Sequence, residues 1–102
     1  VAETEEEAQR LASVSSPSCL RRETDVLDTW FSSALWPLVV HDWPFSDPQR
    51  LARYYPADVV VTGFDIIFFW VARMMMFGLH FAGDVPFRRV CIHPLLRDAE
   101  GR

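Results

Sequence analysis

Two short stretches of this sequence carry the residues best suited to bind a ligand. The first is Thr62-Gly63-Phe64-Asp65, with Trp70 following on the same expected helix; the second ends at His93. Gly63 lets a ligand approach the backbone closely. Asp65, at the start of the helix, can cap it or accept hydrogen bonds from hydroxyl or amino groups. Trp70 offers a flat apolar wall. His93 offers a neutral donor and acceptor. Each has a plainer reading when taken alone: Asp65 as a helix cap, Trp70 as core, His93 as a satisfied, partly buried histidine. Cys91 on the second stretch reads as a small core residue.

Other chemistries lack their patterns. Cys91, His93 and His80 do not have the spacing of a metal site, so no metal ligand is expected. No Gly-x-Ser-x-Gly elbow is present for a hydrolase triad. Neither a Walker-type loop nor Gly-x-Gly-x-x-Gly occurs.

The elements that must position these residues follow from patterning. Asp58 to Thr62 is a β-branched run of strand length ending at Gly63. Phe64 to His80 is long enough for a helix of more than four turns, and Gly83 marks its exit. Arg89 to His93 reads as a second strand, closed by Pro94. Strand, helix, strand is a βαβ unit, with parallel strands and a right-handed crossover expected. In open α/β sheets ligands bind beyond the carboxyl ends of the strands, and those ends are Gly63–Asp65 and His93.

Further helices precede this unit. Thr4 with Glu7 is a possible capping box for a short helix over residues 4–13, with Glu5, Glu6 and Glu7 in its first turn. Residues 13–19 are loop-like in composition, and a boundary is placed near residue 24. The apolar part begins at Asp25, and Pro37 should end any helix that runs through Leu35. Trp43-Pro44 is a second stop. Ser46-Asp47-Pro48-Gln49 is a helix start with Ser46 as the cap, and that helix should stop before Pro56.

Composition sets the frame. The chain has 102 residues, half of them hydrophobic, and a net charge of -4. That suits one small domain and argues against a free-standing binder of nucleic acid or of a membrane surface. Two cysteines are too few for a disulfide scaffold, so a reduced, cytoplasmic setting is expected. All ten basic residues are arginine; biased codon usage explains this more simply than anion recognition. The helix from Phe64 is apolar nearly all round. Asp65, Arg73 and His80 interrupt it, and each ionised group near a bilayer centre costs about 2.5–3.5 kcal/mol on insertion scales. A helix buried inside a larger α/β domain is therefore expected, and no membrane. Such a helix needs more protein than 102 residues supply. The acidic start at Val1 and the turn-like end at Gly101-Arg102 agree with an internal piece of a longer chain.

Several stretches are distinctive together. Asp25-Val26-Leu27-Asp28-Thr29-Trp30-Phe31-Ser32-Ser33-Ala34-Leu35-Trp36-Pro37 closely resembles the valyl-tRNA synthetases. So does Thr62-Gly63-Phe64-Asp65-Ile66-Ile67-Phe68-Phe69-Trp70-Val71-Ala72-Arg73-Met74. Tyr54-Tyr55-Pro56 and the run from His93 to Arg102 fit the same family in the same order. Isoleucyl and leucyl enzymes share the layout, but the phenylalanine-rich segment after Gly63 favours valine.

The resemblance implies a class I synthetase with a Rossmann-like nucleotide-binding fold split by an inserted editing domain. Residues 25–102 would be the second half of that catalytic fold, a parallel βαβ unit with additional helices. Residues 1–24 would be the segment returning from the inserted editing region. The implied activity is ATP-dependent activation of valine and its transfer to tRNA(Val), with Mg as the family uses it and the remainder of the synthetase as partner. Trp30, Ile66 and Trp70 would wall the valine side chain. Gly63, Asp65 and His93 would contact the adenylate and its ribose. The tail from Leu95 to Arg102 would lead into the Lys-Met-Ser-Lys-Ser loop. That loop and the His-Ile-Gly-His signature are absent from the sequence, so no catalytic residue is assigned and the isolated chain is expected to be inactive. Residues 38–42 and Pro94 depart from the family pattern. The alternatives are an isoleucyl- or leucyl-type piece, a non-catalytic binding module descended from a synthetase, and a structural or membrane-associated piece with no ligand.

Overall fold

A computed structural model describes residues 1–13, 19–45 and 47–102. In chain order it contains α1 (Glu5–Ala12), α2 (Thr29–Ala34), α3 (Trp36–Val39), α4 (Pro48–Tyr54) and β1 (Val60–Gly63). A long helix, Phe64–Ala82, follows and leads to β2 (Val90–His93). The two strands pair in parallel, in the register Val60↔Val90, Val61↔Cys91, Thr62↔Ile92 and Gly63↔His93. The expected strand, helix, parallel strand unit is present. Pairing begins before the strands proper, where Ala57 N–H donates to Pro86 O at 2.9 Å and Arg88 N–H to Ala57 O at 3.0 Å.

The long helix is less regular than its sequence suggests. It opens with a 3-10 turn at Phe64–Ile66, is α-helical only over Ala72–Phe77 (α5), and is π-helical over Ile67–Val71 and Gly78–Ala82. In the first π segment Ala72 N–H donates to Ile67 O, five residues back, so the helix is wider where its aromatic residues cluster. Gly83 ends the helix in the left-handed region at φ 73°, a conformation that costs glycine little.

Three layers result. On one side the long helix packs on the sheet through Val71 and Met74, which meet Val60 and Phe87, with Ala57, Ile67 and Trp70 at the margin. Met74 is only 1% exposed, as is Leu38 in α3. On the other side α2 packs on the long helix. There Phe31 meets Phe77 edge to face at 5.0 Å between ring centroids, and Trp30 meets Phe69 at 5.6 Å. Gly78 is buried toward the end of the long helix, whereas other positions face outward, with Phe68 83% exposed. By length and composition alone this helix could cross a membrane, a test that core helices also pass. Among the described residues it is not buried on all sides, since Met76 and Leu79 are exposed along with Phe68.

Three local expectations change. Pro37 does not simply end a helix. α2 stops at Ala34, and Pro37 sits in the first turn of α3, where a missing N–H leaves no bond unmade. The cap of α4 is Asp47, whose carboxylate accepts from Gln49 N at 3.0 Å; Ser46, the expected cap, lies outside the described residues. Cys91 is exposed rather than core, because all of β2 lacks cover on its faces. The Thr4 cap forms, with Thr4 Oγ1 accepting from Glu7 N at 3.1 Å, but the box is not reciprocal: the Glu7 carboxylate accepts from Glu3 N at 3.0 Å. Most of the loop-like run over residues 13–19 also lies outside the described residues.

One contact ties α4 to the end of the long helix. Tyr55 Oη donates to Asp84 O at 2.8 Å. Gly78 makes room for it: a Cβ there would collide with Tyr55 Oη and lie 2.9 Å from Pro86 Cδ and 3.1 Å from Asp84 O. Backbone and proline ring cannot step aside cheaply. Gly78→Ala should therefore destabilise the fold by about 1–3 kcal/mol, the usual range for overpacking. A lowered urea midpoint with an unchanged slope would show it.

Burial, and then the charge of Asp84, push the Tyr55 hydroxyl up from 10.0 to about 12. Its neutral form is thus favoured in the fold. The associated stabilisation is complete below pH 10 and is lost as pH rises through about 12. Unfolding of Tyr55→Phe, followed from pH 8 upward, should show a stability deficit that shrinks above pH 10.

Candidate ligand site

The carboxyl ends of β1 and β2 lie side by side, since Gly63 and His93 are register partners. Gly63 is buried and extended, with φ -68° and ψ 151°. Its backbone would accept any residue; the demand for glycine comes from what stands beside it. A Cβ on Gly63 would collide with Asp65 Oδ1 and touch Leu95 Cδ2 at 3.6 Å. The Asp65 carboxylate is therefore folded back over the strand end. It does not cap the helix: the N-terminal turn has no side-chain cap bond. Asp65 is exposed and free to meet a ligand.

His93 is exposed, not partly buried, because no described residue covers the end of β2. Its Nδ1 is 2.9 Å from Pro94 O. A carbonyl can only accept, so that bond requires the proton on Nδ1 and leaves Nε2 of the neutral ring as an outward acceptor. Beyond it the chain reaches a turn at Asp98, where Asp98 Oδ1 accepts from Glu100 N at 3.1 Å and Arg102 N at 2.8 Å.

Close to the Gly63 end of β1, along the first turns of the long helix, lies an apolar concavity of about 270 Å³. It is lined by Trp30, Ser33, Trp36, Ile66 and Trp70. The structure thus brings Trp30, Ile66 and Trp70 together from two elements far apart in sequence. Trp30 comes from α2, whose start is fixed by Asp28: its Oδ2 accepts from Trp30 N at 3.1 Å. Trp70 is held from the opposite side, donating from Nε1 to Ser33 O at 3.2 Å. A buried or half-buried indole normally finds such a partner, and here the partner is the backbone of the facing helix.

Sequence reasoning missed Ser33 and Trp36 as lining residues. A signal was available for Ser33, which lies three residues after Trp30 on the same helix and so shares its face; Trp36 begins α3 and no such spacing places it. Ligand pockets usually measure about 300–1,000 Å³, so this one suits a small apolar group. Among the described residues, no three His, Cys, Asp or Glu side chains converge to hold a metal ion.

A larger groove, about 630 Å³, runs over α4 between Val40, His41, Arg50 and Tyr54. It is a surface feature in which Arg50 is already paired with Asp42 at 2.9 Å.

Comparison with known proteins gives one answer along the whole chain. A Valine--tRNA ligase from Gluconobacter oxydans (strain 621H) is 61% identical over all 102 residues. One from Geobacter sulfurreducens is 64% identical over 83 residues, 81% of the chain, and one from Rhodopseudomonas palustris is 66% identical over 82 residues, 80% of the chain. The chain spans 11% of the length of the first of these relatives, 9% of the second and 8% of the third. The family model for tRNA synthetases class I (I, L, M and V) matches residues 2–102. With nearly every residue inside that match, the chain belongs to the class I tRNA synthetases of the I, L, M and V group.

Proposed function

We propose that this chain works as the amino-acid-binding part of a valine–tRNA ligase. The observation that carries the reading is the convergence of Trp30, Ile66 and Trp70 on one small apolar concavity beside the carboxyl ends of two parallel strands. In this reading residues 25–102 are the second half of a Rossmann-like catalytic domain, and residues 1–24 return from an inserted editing region. The names of the relatives support valine as the substrate.

ATP activates the valine carboxylate, and the aminoacyl group then passes to the terminal ribose of tRNA(Val). The chain's own part is binding and orientation. The indoles of Trp30 and Trp70 flank an isopropyl group, which has no polar handle, and Ile66 closes the pocket. An apolar pocket separates substrates differing by one methylene by only about 1–3 kcal/mol, a limit for which synthetases of this group are a usual illustration. Gly63, Asp65 and His93 suit the adenylate. Their hydrogen-bonding atoms stand at the strand ends, and a carboxylate with an imidazole acceptor can receive hydroxyl and amino hydrogens. Mg is usually held by one or two carboxylates together with the phosphates of a bound nucleotide, and it would supply charge neutralisation there. The enzyme is a soluble cytoplasmic one in this reading, and the outward faces of the long helix and of β2 meet the remainder of the synthetase.

The test is a replacement. The matching stretch of the Gluconobacter relative is exchanged for this chain, and amino-acid-dependent ATP–pyrophosphate exchange is measured. Exchange with valine, and little with isoleucine or leucine, is the expected result. A folded chimera that ignores valine sinks the reading, and a preference for isoleucine or leucine moves it to a sibling enzyme. The isolated chain is expected to give no exchange.

A further inference from the structure

We propose that Arg73 is a positioning residue that sets the place of Trp30, and with it the width of the apolar concavity. The inference rests on the valine-pocket reading above. Asp28 Oδ2 accepts from Trp30 N and lies 3.6 Å from Arg73 Nη1. The Arg73 guanidinium carbon lies 5.6 Å from the centroid of the Phe69 ring. The Phe69 ring in turn lies 5.6 Å from the Trp30 ring, tilted by 31°. These contacts close a circuit. Trp30 is held at its backbone through Asp28 and at its indole through Phe69, and both holds meet at one guanidinium.

The circuit joins α2 to the long helix beside the edge-to-face contact of Phe31 with Phe77. Another tie, Trp70 Nε1 to Ser33 O, links two residues that line the concavity. With Trp30 held through Asp28 and Phe69 and Trp70 held through Ser33, the separation of the two indoles is set by these contacts. A guanidinium suits this position and an ammonium does not: its plane can lie over a ring while its edge faces a carboxylate. Asp28 and Arg73 are both substantially exposed, so the pair adds little to folding stability. Its effect is expected on placement.

The chimera with the Gluconobacter relative provides the test. Arg73→Gln should raise the KM for valine by about fivefold, the scale of one exposed cation–π contact with its ion pair. The KM for ATP, the kcat and the melting temperature should stay close to those of the unmodified chimera. Arg73→Lys should fall between the two, because it keeps charge and loses the plane. Asp28→Asn keeps a good helix cap and removes the charge; combined with Arg73→Gln it should be no worse than either alone. An unchanged KM for valine, or equal rises for valine and ATP, overturns the inference while leaving the pocket reading intact. An unmodified chimera that does not activate valine overturns both.

Discussion

Trp70→Ala is expected to lower kcat/KM for valine about a hundredfold in the chimera, mainly through KM. The indole does three things at once. It forms one wall of the concavity, packs at the margin of the Val60–Val71–Met74–Phe87 core, and ties α2 to the long helix through Ser33 O. Full truncation of a buried aromatic costs about 3–5 kcal/mol of stability, and Trp70 is only half-buried, so the lower part of that range applies. The binding loss adds the scale of about one to two methylene contacts per missing wall. Trp70→Phe separates these roles. It keeps an aromatic, though smaller, wall and loses the Nε1 bond, whose net effect is about 1 kcal/mol. If Trp70→Ala lowers the melting temperature and leaves the valine KM alone, Trp70 is core and the pocket lies elsewhere.

How much of this was legible in the sequence depends on whether a residue's partners are local. The helix cap at Thr4, the left-handed exit at Gly83 and the two strands depend on neighbours within a few positions, and they are where patterning puts them. Pro37 was misread because its meaning depends on position within a turn: inside a helix it breaks, at the start of one it fits. The π segments could not be read, because hydrophobic periodicity does not distinguish bonds closed four residues back from five. Cys91 reads as core from its place on a strand, and the plainer reading of His93 makes it partly buried. Burial of a strand depends on what lies over it, and among the described residues all four positions of β2 stay exposed. The grouping of Trp30, Ile66 and Trp70 came from family resemblance; residue type and spacing alone reached only Trp70. Trp30 and Ile66 share the concavity through the packing of α2 on the long helix, a long-range arrangement that no local pattern encodes.

Gly63→Ala should leave folding almost untouched and cost the chimera about ten- to a hundredfold in valine activation. The two halves of that statement have separate causes. At φ -68° and ψ 151° an alanine meets no backbone penalty. The added methyl makes an ordinary contact with Leu95 and a collision with Asp65 Oδ1. Asp65 is exposed and its carboxylate is the end of a short side chain, so it turns away at little cost to stability. What is lost is the placement of a charged acceptor beside the strand end, and a hydrogen bond to a charged group is worth about 1.5–3 kcal/mol. A double-mutant cycle identifies the route. If Gly63 acts by holding Asp65 in place, Gly63→Ala in an Asp65→Ala background should add almost nothing. If the glycine loss persists undiminished in that background, the methyl blocks a ligand from the backbone itself, and Gly63 rather than Asp65 is the closer contact. A Gly63→Ala chimera with normal activity and normal stability would remove both residues from the site.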